Sequence, residues 1–214
     1  MKLPRRTFLH LAASVNALPA VSRIAWAQSY PTRPVRVIVP VAPAGAADIT
    51  ARLIGQWLSE RLGQQFIIDN RPGGGNNIGT EAVVRAPADG YTLLLAATPN
   101  AVNVTLYDKL SFNFLRDIAP VATIIRAPTV GEFVPGYEAS AWFGVGAPRT
   151  TPIDVVDRLS REINAGLADP KIKTQLADMG GMLLAGSPAD FGRLIAEETE
   201  KWGKVIKFAG IKVE

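Results

Sequence analysis

The side chains that could do chemistry are few in this sequence of 214 residues, and they are poorly placed for catalysis. There is one histidine, His10, and no cysteine. His10 falls in an N-terminal stretch with the character of a leader, which leaves the body without either residue. Ser-His-Asp and Cys-His catalysis, thiol redox chemistry and the common zinc sites are thereby excluded. Carboxylate, lysine and tyrosine chemistry stay open. A carboxylate-based hydrolase would have to use Asp48 or Glu138, and nothing pairs either with a second acid. No catalytic residue, metal or organic cofactor is therefore expected.

Two glycine-rich places invite an anion. Gly73-Gly74-Gly75-Asn76-Asn77-Ile78-Gly79-Thr80 has phosphate-loop spacing from Gly74 to Gly79, but Thr80 stands where the phosphate-coordinating lysine is needed. A dinucleotide fingerprint would need glycine at Ile78. The segment reads instead as a loop that requires positive φ angles. The stretch from Val41 to Asp48 is the better candidate. It joins a strand to a helix, where unpaired amides and the helix dipole favour an anion, and its small residues Ala42, Pro43, Ala44 and Gly45 let a ligand approach the backbone. Asp48 is expected either to cap that helix, satisfying the amides itself, or to orient a ligand amine. Thr98-Pro99-Asn100 follows another strand, and in a parallel sheet both loops reach the same carboxyl edge.

The elements that hold these loops follow from pattern. Val35 to Val39 is a β-branched run, and Ile49, Leu53 and Trp57, with Ile54 and Leu58, repeat at helical spacing until Gly63 stops them. Gln65 to Ile68, Tyr91 to Ala96, Pro120 to Ile125 and Ala139 to Val145 read as further strands, with a short helix from Thr80 to Ala86. The last third is helical. Thr151-Pro152, Asp169-Pro170 and Ser187-Pro188 each set a capping side chain before a proline, and two apolar stripes follow, one through Ile153, Val156, Leu159 and Ile163 and one through Phe191, Leu194, Ile195, Trp202 and Val205. Alternating strands and helices predict an α/β fold, a mostly parallel sheet with helices on both faces. Trp142, on the strand from Ala139 to Val145, either walls a cleft or packs in the core.

The net charge of +4 does not mark a nucleic-acid binder. Residues 1–27 hold Lys2, Arg5, Arg6 and Arg23 and no acid, so the rest carries as many acidic as basic groups. That stretch has a basic start, a mildly apolar run and the small-residue site Ala25-Trp26-Ala27, the makings of an export signal cut after Ala27. Arg5-Arg6-Thr7-Phe8-Leu9 resembles a twin-arginine signal, with the Sec route as the alternative. Residues 28–214 would then be the mature, periplasmic protein.

At the first loop the sequence resembles the receptors of tripartite tricarboxylate transporters, the Bug family. Val39-Pro40-Val41-Ala42-Pro43-Ala44-Gly45-Ala46-Ala47-Asp48 with Ala51-Arg52 matches that family's ligand loop, apart from Val41, where an aromatic is common, and Ala44, where glycine is usual. Asn70-Arg71-Pro72-Gly73, Pro87-Ala88-Asp89-Gly90-Tyr91, Leu106-Tyr107, Asp117-Ile118-Ala119-Pro120-Val121, Pro135-Gly136-Tyr137-Glu138 and Ser187-Pro188-Ala189 follow in the family's order. The resemblance implies a periplasmic-binding-protein-like fold of type II, a small carboxylate as ligand and membrane permease subunits as partners. It also implies a gap. About a hundred residues, the size of a small domain, are expected between the counterparts of Ile125 and Thr129. Most of the second lobe would thus be absent, with a deletion junction near residues 125–129.

The expectation is a shortened solute-binding receptor with half a site, in which amides of Ala42 to Gly45 hold a carboxylate and Thr98 and Asn100 add polar contacts. Arg126-Ala127-Pro128 would bridge the junction in solvent, and the exposed cleft face would favour self-association. The alternatives are a remnant or scaffold that folds without ligand and, last, the hydrolase.

Overall fold

The structure, a computed structural model, describes residues 30–128 and 140–213. The leader with its cut after Ala27, Thr129 and Glu138 lie outside the described residues. The elements run β1 (Val35–Val39), α1 (Ala46–Leu62), β2 (Phe66–Asn70), a single 3-10 turn (Gly74–Asn76), α2 (Asn77–Val84), β3 (Thr92–Ala97), α3 (Thr98–Leu106) and α4 (Phe114–Asp117). Then come β4 (Ile118–Pro128), β5 (Ser140–Pro148), α5 (Ile153–Ala168), α6 (Pro170–Asp178), β6 (Met182–Leu183) and α7 (Pro188–Ala209).

One sheet has the order β2-β1-β3-β5-β4-β6. β1 lies parallel to β2 and β3, whereas β5 is antiparallel to β3 and β4, and β6 is antiparallel to β4. Strand direction is thus mostly parallel, with β5 and β6 reversed, and the sheet is mixed. The reversal has a simple cause. β1 to β3 are linked through helices, which return the chain for parallel pairing, but no described helix separates β4 from β5, and they pair directly.

That ladder corrects the expected bridge. Arg126, Ala127 and Pro128 are strand residues, opposite Trp142, Ala141 and Ser140. Their backbone extends the sheet rather than crossing solvent.

Alternation along the strands divides the core. Val35, Val37, Val39, Leu93 and Leu95 face α1, α5 and α6, where Ile54, Leu58, Leu159, Ile163 and Leu176 are buried. Ile38, Leu94 and Ala96 face the other layer, with Val83 of α2, Ala101 of α3, Phe114 of α4 and Phe191 of α7. Both faces are covered, as the apolar runs of the central strands require.

Helix ends match the sequence unevenly. Gly63 adopts φ 70° and its N–H bonds Ser59 O, so α1 stops where expected. Ser187 and Asp190 cap α7 reciprocally, and Asp169 accepts from Lys171 N and Ile172 N. Thr151 does not cap α5, because its hydroxyl donates to Pro148 O at 2.8 Å and the helix opens at Ile153 after Pro152. On α1 the buried seam is Ala47, Ala51, Ile54 and Leu58, while Ile49 is exposed and Trp57 half-buried, its indole N–H donating to Glu162 O.

A stitched carboxyl edge as candidate ligand site

β1, β2 and β3 end side by side, and each hands over to a loop or helix start at the same edge. Helix α1 begins at Ala46, two residues before Asp48, with Gly45 as an extended N-cap residue that offers no side chain. Asp48 is therefore not the N-cap. Ala46 and Ala47 are strong helix formers, and the carboxylate reaches back one turn, where Oδ2 accepts from Ala44 N at 2.9 Å. The same oxygen accepts from Arg52 Nε at 2.9 Å, and Oδ1 accepts from Asn70 Nδ2 at 2.9 Å. Asp48 is 2 % exposed. The Arg52 bond first, then the Ala44 amide and Asn70, outweigh its burial and hold the carboxyl down at about 2. Such a carboxylate is a weak base, and with Oδ2 taken by Ala44 and Arg52 and Oδ1 turned to Asn70 in a buried side chain, the structure shows it bonded to protein.

Asn70 joins the first loop to the second, since its Nδ2 also donates to Val41 O at 3.1 Å and its Oδ1 accepts from Arg52 Nη2 at 3.2 Å. The second loop lies hard against β1. A Cβ on Gly79 would meet Pro40 Cβ at 2.8 Å, so only glycine permits this approach. Gly73, Gly74 and Gly75 have positive φ, as read from the sequence, and Asn76 joins them at φ 79°.

The third loop is stitched to the second. Asn100 is 3 % exposed; its Oδ1 accepts from Ala97 N at 2.8 Å, and its Nδ2 donates to Thr80 Oγ1 at 2.7 Å. Asn103 Nδ2 donates to Gly75 O at 2.6 Å and to Asn77 Oδ1 at 2.9 Å. Thr98 Oγ1 accepts from Trp142 N at 3.1 Å, which fastens α3 to β5. Asp48, Thr98 and Asn100 are thus gathered at one edge, as their positions after β1 and β3 implied, but each spends its polar atoms on the protein. Trp142 is fully buried and packs edge-on against Phe191 with ring centroids 5.6 Å apart, so its ring walls no cleft.

What faces solvent is backbone. Ala42, Pro43, Ala44, Gly45, Ala46 and Pro99 are exposed, and a Cβ placed on Gly45 would find no atom within 4 Å. The first amides of α1 have no acceptor within their helix, and Arg52 neutralises the carboxylate beneath them, leaving the helix end favourable to an anion. Ala44 holds φ 71°, a left-handed conformation that penalises any residue with a Cβ. Sequence reasoning assigned no role to Arg52, Asn70, Thr80 or Asn103. Their signal was weak, a polar residue near a loop, because the partners lie up to 28 residues away.

An open α/β edge with exposed helix-start amides is an arrangement that binds small anionic ligands. The profile of the tripartite tricarboxylate transporter family receptor matches residues 50–135 and 127–211, and the chain belongs to that family. A protein encoded in the tcbD-tcbE intergenic region of a Pseudomonas species is 26% identical over 291 aligned positions, covering 83% of this chain and 87% of the relative. Among solved structures, an R. palustris protein with adipate superposes with TM-score 0.81 at 25% identity, covering 86% of this chain and 99% of the other. The periplasmic binding protein BugD superposes with TM-score 0.81 at 20% identity, covering 86% and 100%. The family's fold is therefore present in a chain shorter than those relatives.

Proposed function

We propose that this chain is a periplasmic solute-binding receptor that holds a small carboxylate at the exposed start of α1, between Ala42 and Ala47, and serves a membrane permease. The observation that carries this reading is the stitched edge. Three loops are fixed to one another by Asp48, Asn70, Asn100 and Asn103, with the Ala44 amide taken by Asp48, while Ala42, Gly45 and Ala46 remain exposed beside it. Prepositioned amides of this kind recognise a carboxylate without reading the rest of the molecule. Thr98 and Pro99 form the neighbouring wall, and Asp48 acts by orienting the loop.

The receptor is shortened by an internal deletion near residues 125–129, which leaves one lobe and half a site. Two findings support this. The aligned span with the Pseudomonas relative, 291 positions, exceeds the 214 residues of this chain, and the two family matches meet at residues 127–135. With one lobe a ligand stays half solvated, so small dicarboxylates such as adipate bind at about millimolar, roughly 4 kcal/mol. Calorimetric titration, with mass measured by light scattering in the same samples, is the test. Micromolar binding by a monomer overturns the half-site reading, and binding confined to a dimer means that a second copy supplies the missing wall.

Export with cleavage between Ala27 and Gln28 belongs to the same proposal. Among the described residues no helix is long and apolar enough to cross a membrane. Intact mass of periplasmic material checks the cut, and a product retaining Met1 to Ala27 defeats it.

A second reading, a scaffold that folds without ligand, is favoured by the internal bonding of Asp48, Thr98 and Asn100. No heat and no chemical-shift change at 20 mM adipate, a concentration about twenty times the expected dissociation constant, would establish it.

A further inference from the structure

The charge and apolar exposure of this molecule are unevenly spread, and they coincide at the pole formed by the end of α7. From Lys201 to Val213 there are four lysines, Lys201, Lys204, Lys207 and Lys212, and no acid. The same segment carries Val205, Phe208, Ile211 and Val213, exposed by 43%, 96%, 50% and 45%. Other large exposed apolar side chains, such as Ile67 and Ile153, are scattered over separate elements. Single exposed apolar residues need no explanation, but four within nine residues do.

Helix geometry shows that this is a face rather than a frayed end. Gly203 and Ile206 are buried, with Gly203 against Thr105 of α3, so the helix is docked on its inner side. Lys204, Val205 and Phe208 then project together on the outer side, three and four residues apart. Gly210 ends the helix at φ 63°, and Ile211 to Val213 continue the exposed surface. Beside it lies an open cavity of about 680 Å³ between the ends of α3 and α7, walled by Leu106, Tyr107 and Ile206 and rimmed by Lys109, Lys207 and Lys212. Nearby acids offset part of this charge: Glu200 pairs with Lys204 at 2.7 Å, Asp108 adjoins Lys109 and Glu214 follows Val213 in sequence. The basic excess is therefore modest, and the apolar side chains carry much of the surface's character.

We propose that this pole is a docking surface for an anionic lipid bilayer. Phe208, Val205 and Ile211 enter the headgroup boundary while Lys204, Lys207 and Lys212 meet the lipid phosphates. The composition selects this occupant. Lysine is depleted from the cores of protein interfaces, whereas an apolar face with an aromatic residue flanked by lysines is the pattern of helices that lie in the membrane surface. Each lysine within reach of an anionic surface adds attraction that salt weakens, and the apolar side chains supply the part that salt leaves intact. The dock uses none of the residues proposed to hold the carboxylate.

Vesicle co-sedimentation tests the proposal, with phosphatidylglycerol-containing vesicles against pure phosphatidylcholine. The full chain should sediment with the anionic vesicles, less so in 0.5 M salt. Phe208→Ser should weaken binding about tenfold, and the triple change of Lys204, Lys207 and Lys212 to Gln roughly a hundredfold. Because residues 1–27 are also basic, a local probe reads the pole itself. The chain has no cysteine, so Ala209→Cys and, on the opposite face, Gln175→Cys each give one labelling site for an environment-sensitive dye. Anionic vesicles should blue-shift the dye at position 209 and not at 175. An unchanged dye at 209, equal binding to neutral vesicles, or loss of a vesicle-independent dimer in Phe208→Ser would overturn the proposal.

Discussion

The two halves of the sheet treat their polar groups in opposite ways. In the parallel half, β2-β1-β3, buried side chains fasten neighbouring loops and leave main-chain amides open. In the antiparallel half, β5-β4-β6, a buried charge closes the structure. Glu198 of α7 is 3 % exposed, and its Oε1 accepts from Arg126 Nη2 at 3.2 Å while Oε2 accepts from Trp202 Nε1 at 3.0 Å. Arg126 Nε donates in turn to Ser140 Oγ at 2.7 Å, so one side chain ties β4 to both β5 and α7. The difference teaches what each half is for. One leaves the main chain of a strand-to-helix loop at the surface, and the other closes the end of the β4–β5 ladder.

The largest effect should come from breaking that seal. Glu198→Ala leaves the Arg126 guanidinium, 36% exposed, without its acid, and should cost about 2 to 3 kcal/mol in denaturant unfolding, less than a fully buried pair because Arg126 is partly solvated. Replacing both residues by Met should recover much of the loss. If the single and double variants are equally unstable, the pair contributes packing rather than charge.

Asp48→Ala tests the stitched edge and should cost about 1 to 3 kcal/mol, because buried donors lose their acceptor. The pH dependence gives a second readout. The folded carboxyl titrates at about 2, below its ordinary value of 3.8, so its contribution is complete above about pH 4 and fades as pH falls towards 2. Stability of Asp48→Ala should therefore change less across that window than that of the parent chain. Equal acid sensitivity would transfer the effect to Asp117, which is also held at about 2, chiefly by Arg116.

Ala44→Gly should have the smallest effect and the opposite sign. The left-handed φ of 71° favours glycine, so the change should stabilise the fold by about 1 kcal/mol, read as a raised unfolding midpoint. A destabilised Ala44→Gly would mean that the parent loop relaxes to negative φ in solution.

Much of this architecture was written locally. Gly63 ends α1 because glycine alone enters the left-handed region without penalty, and Ser187 with Asp190 opens α7 because both partners of the capping box lie within three residues. The absence of histidine and cysteine from residues 28–214 settled the excluded chemistries before any fold was known. The exposed loop from Val41 to Gly45 was legible through its small residues and its place between a strand and a helix. Where a polar side chain had competing partners, the reading failed. Thr151 bonds the carbonyl of Pro148, three residues back, instead of capping its helix, and Asp48 bonds Arg52 one turn on and the distant Asn70 instead of a ligand. Trp142 could not be assigned from its strand alone, since only the arrival of Phe191 from α7 made its surroundings a core.

The sequence by itself determined the ends of α1 at Gly63 and of α7 at Ser187, most of the apolar faces and the small-residue loop, because each depends on backbone preferences and side-chain spacing within one or two turns of chain. The tertiary structure alone decided the reversed direction of β5, the exposure of Ile49, Ile153 and Val205, the bonds of Asp48 to Asn70 and of Asn100 to Thr80, and the burial of Glu198 against Arg126. Those outcomes depend on which distant segments meet, and a polar side chain carries no local mark of whether protein or solute will satisfy it.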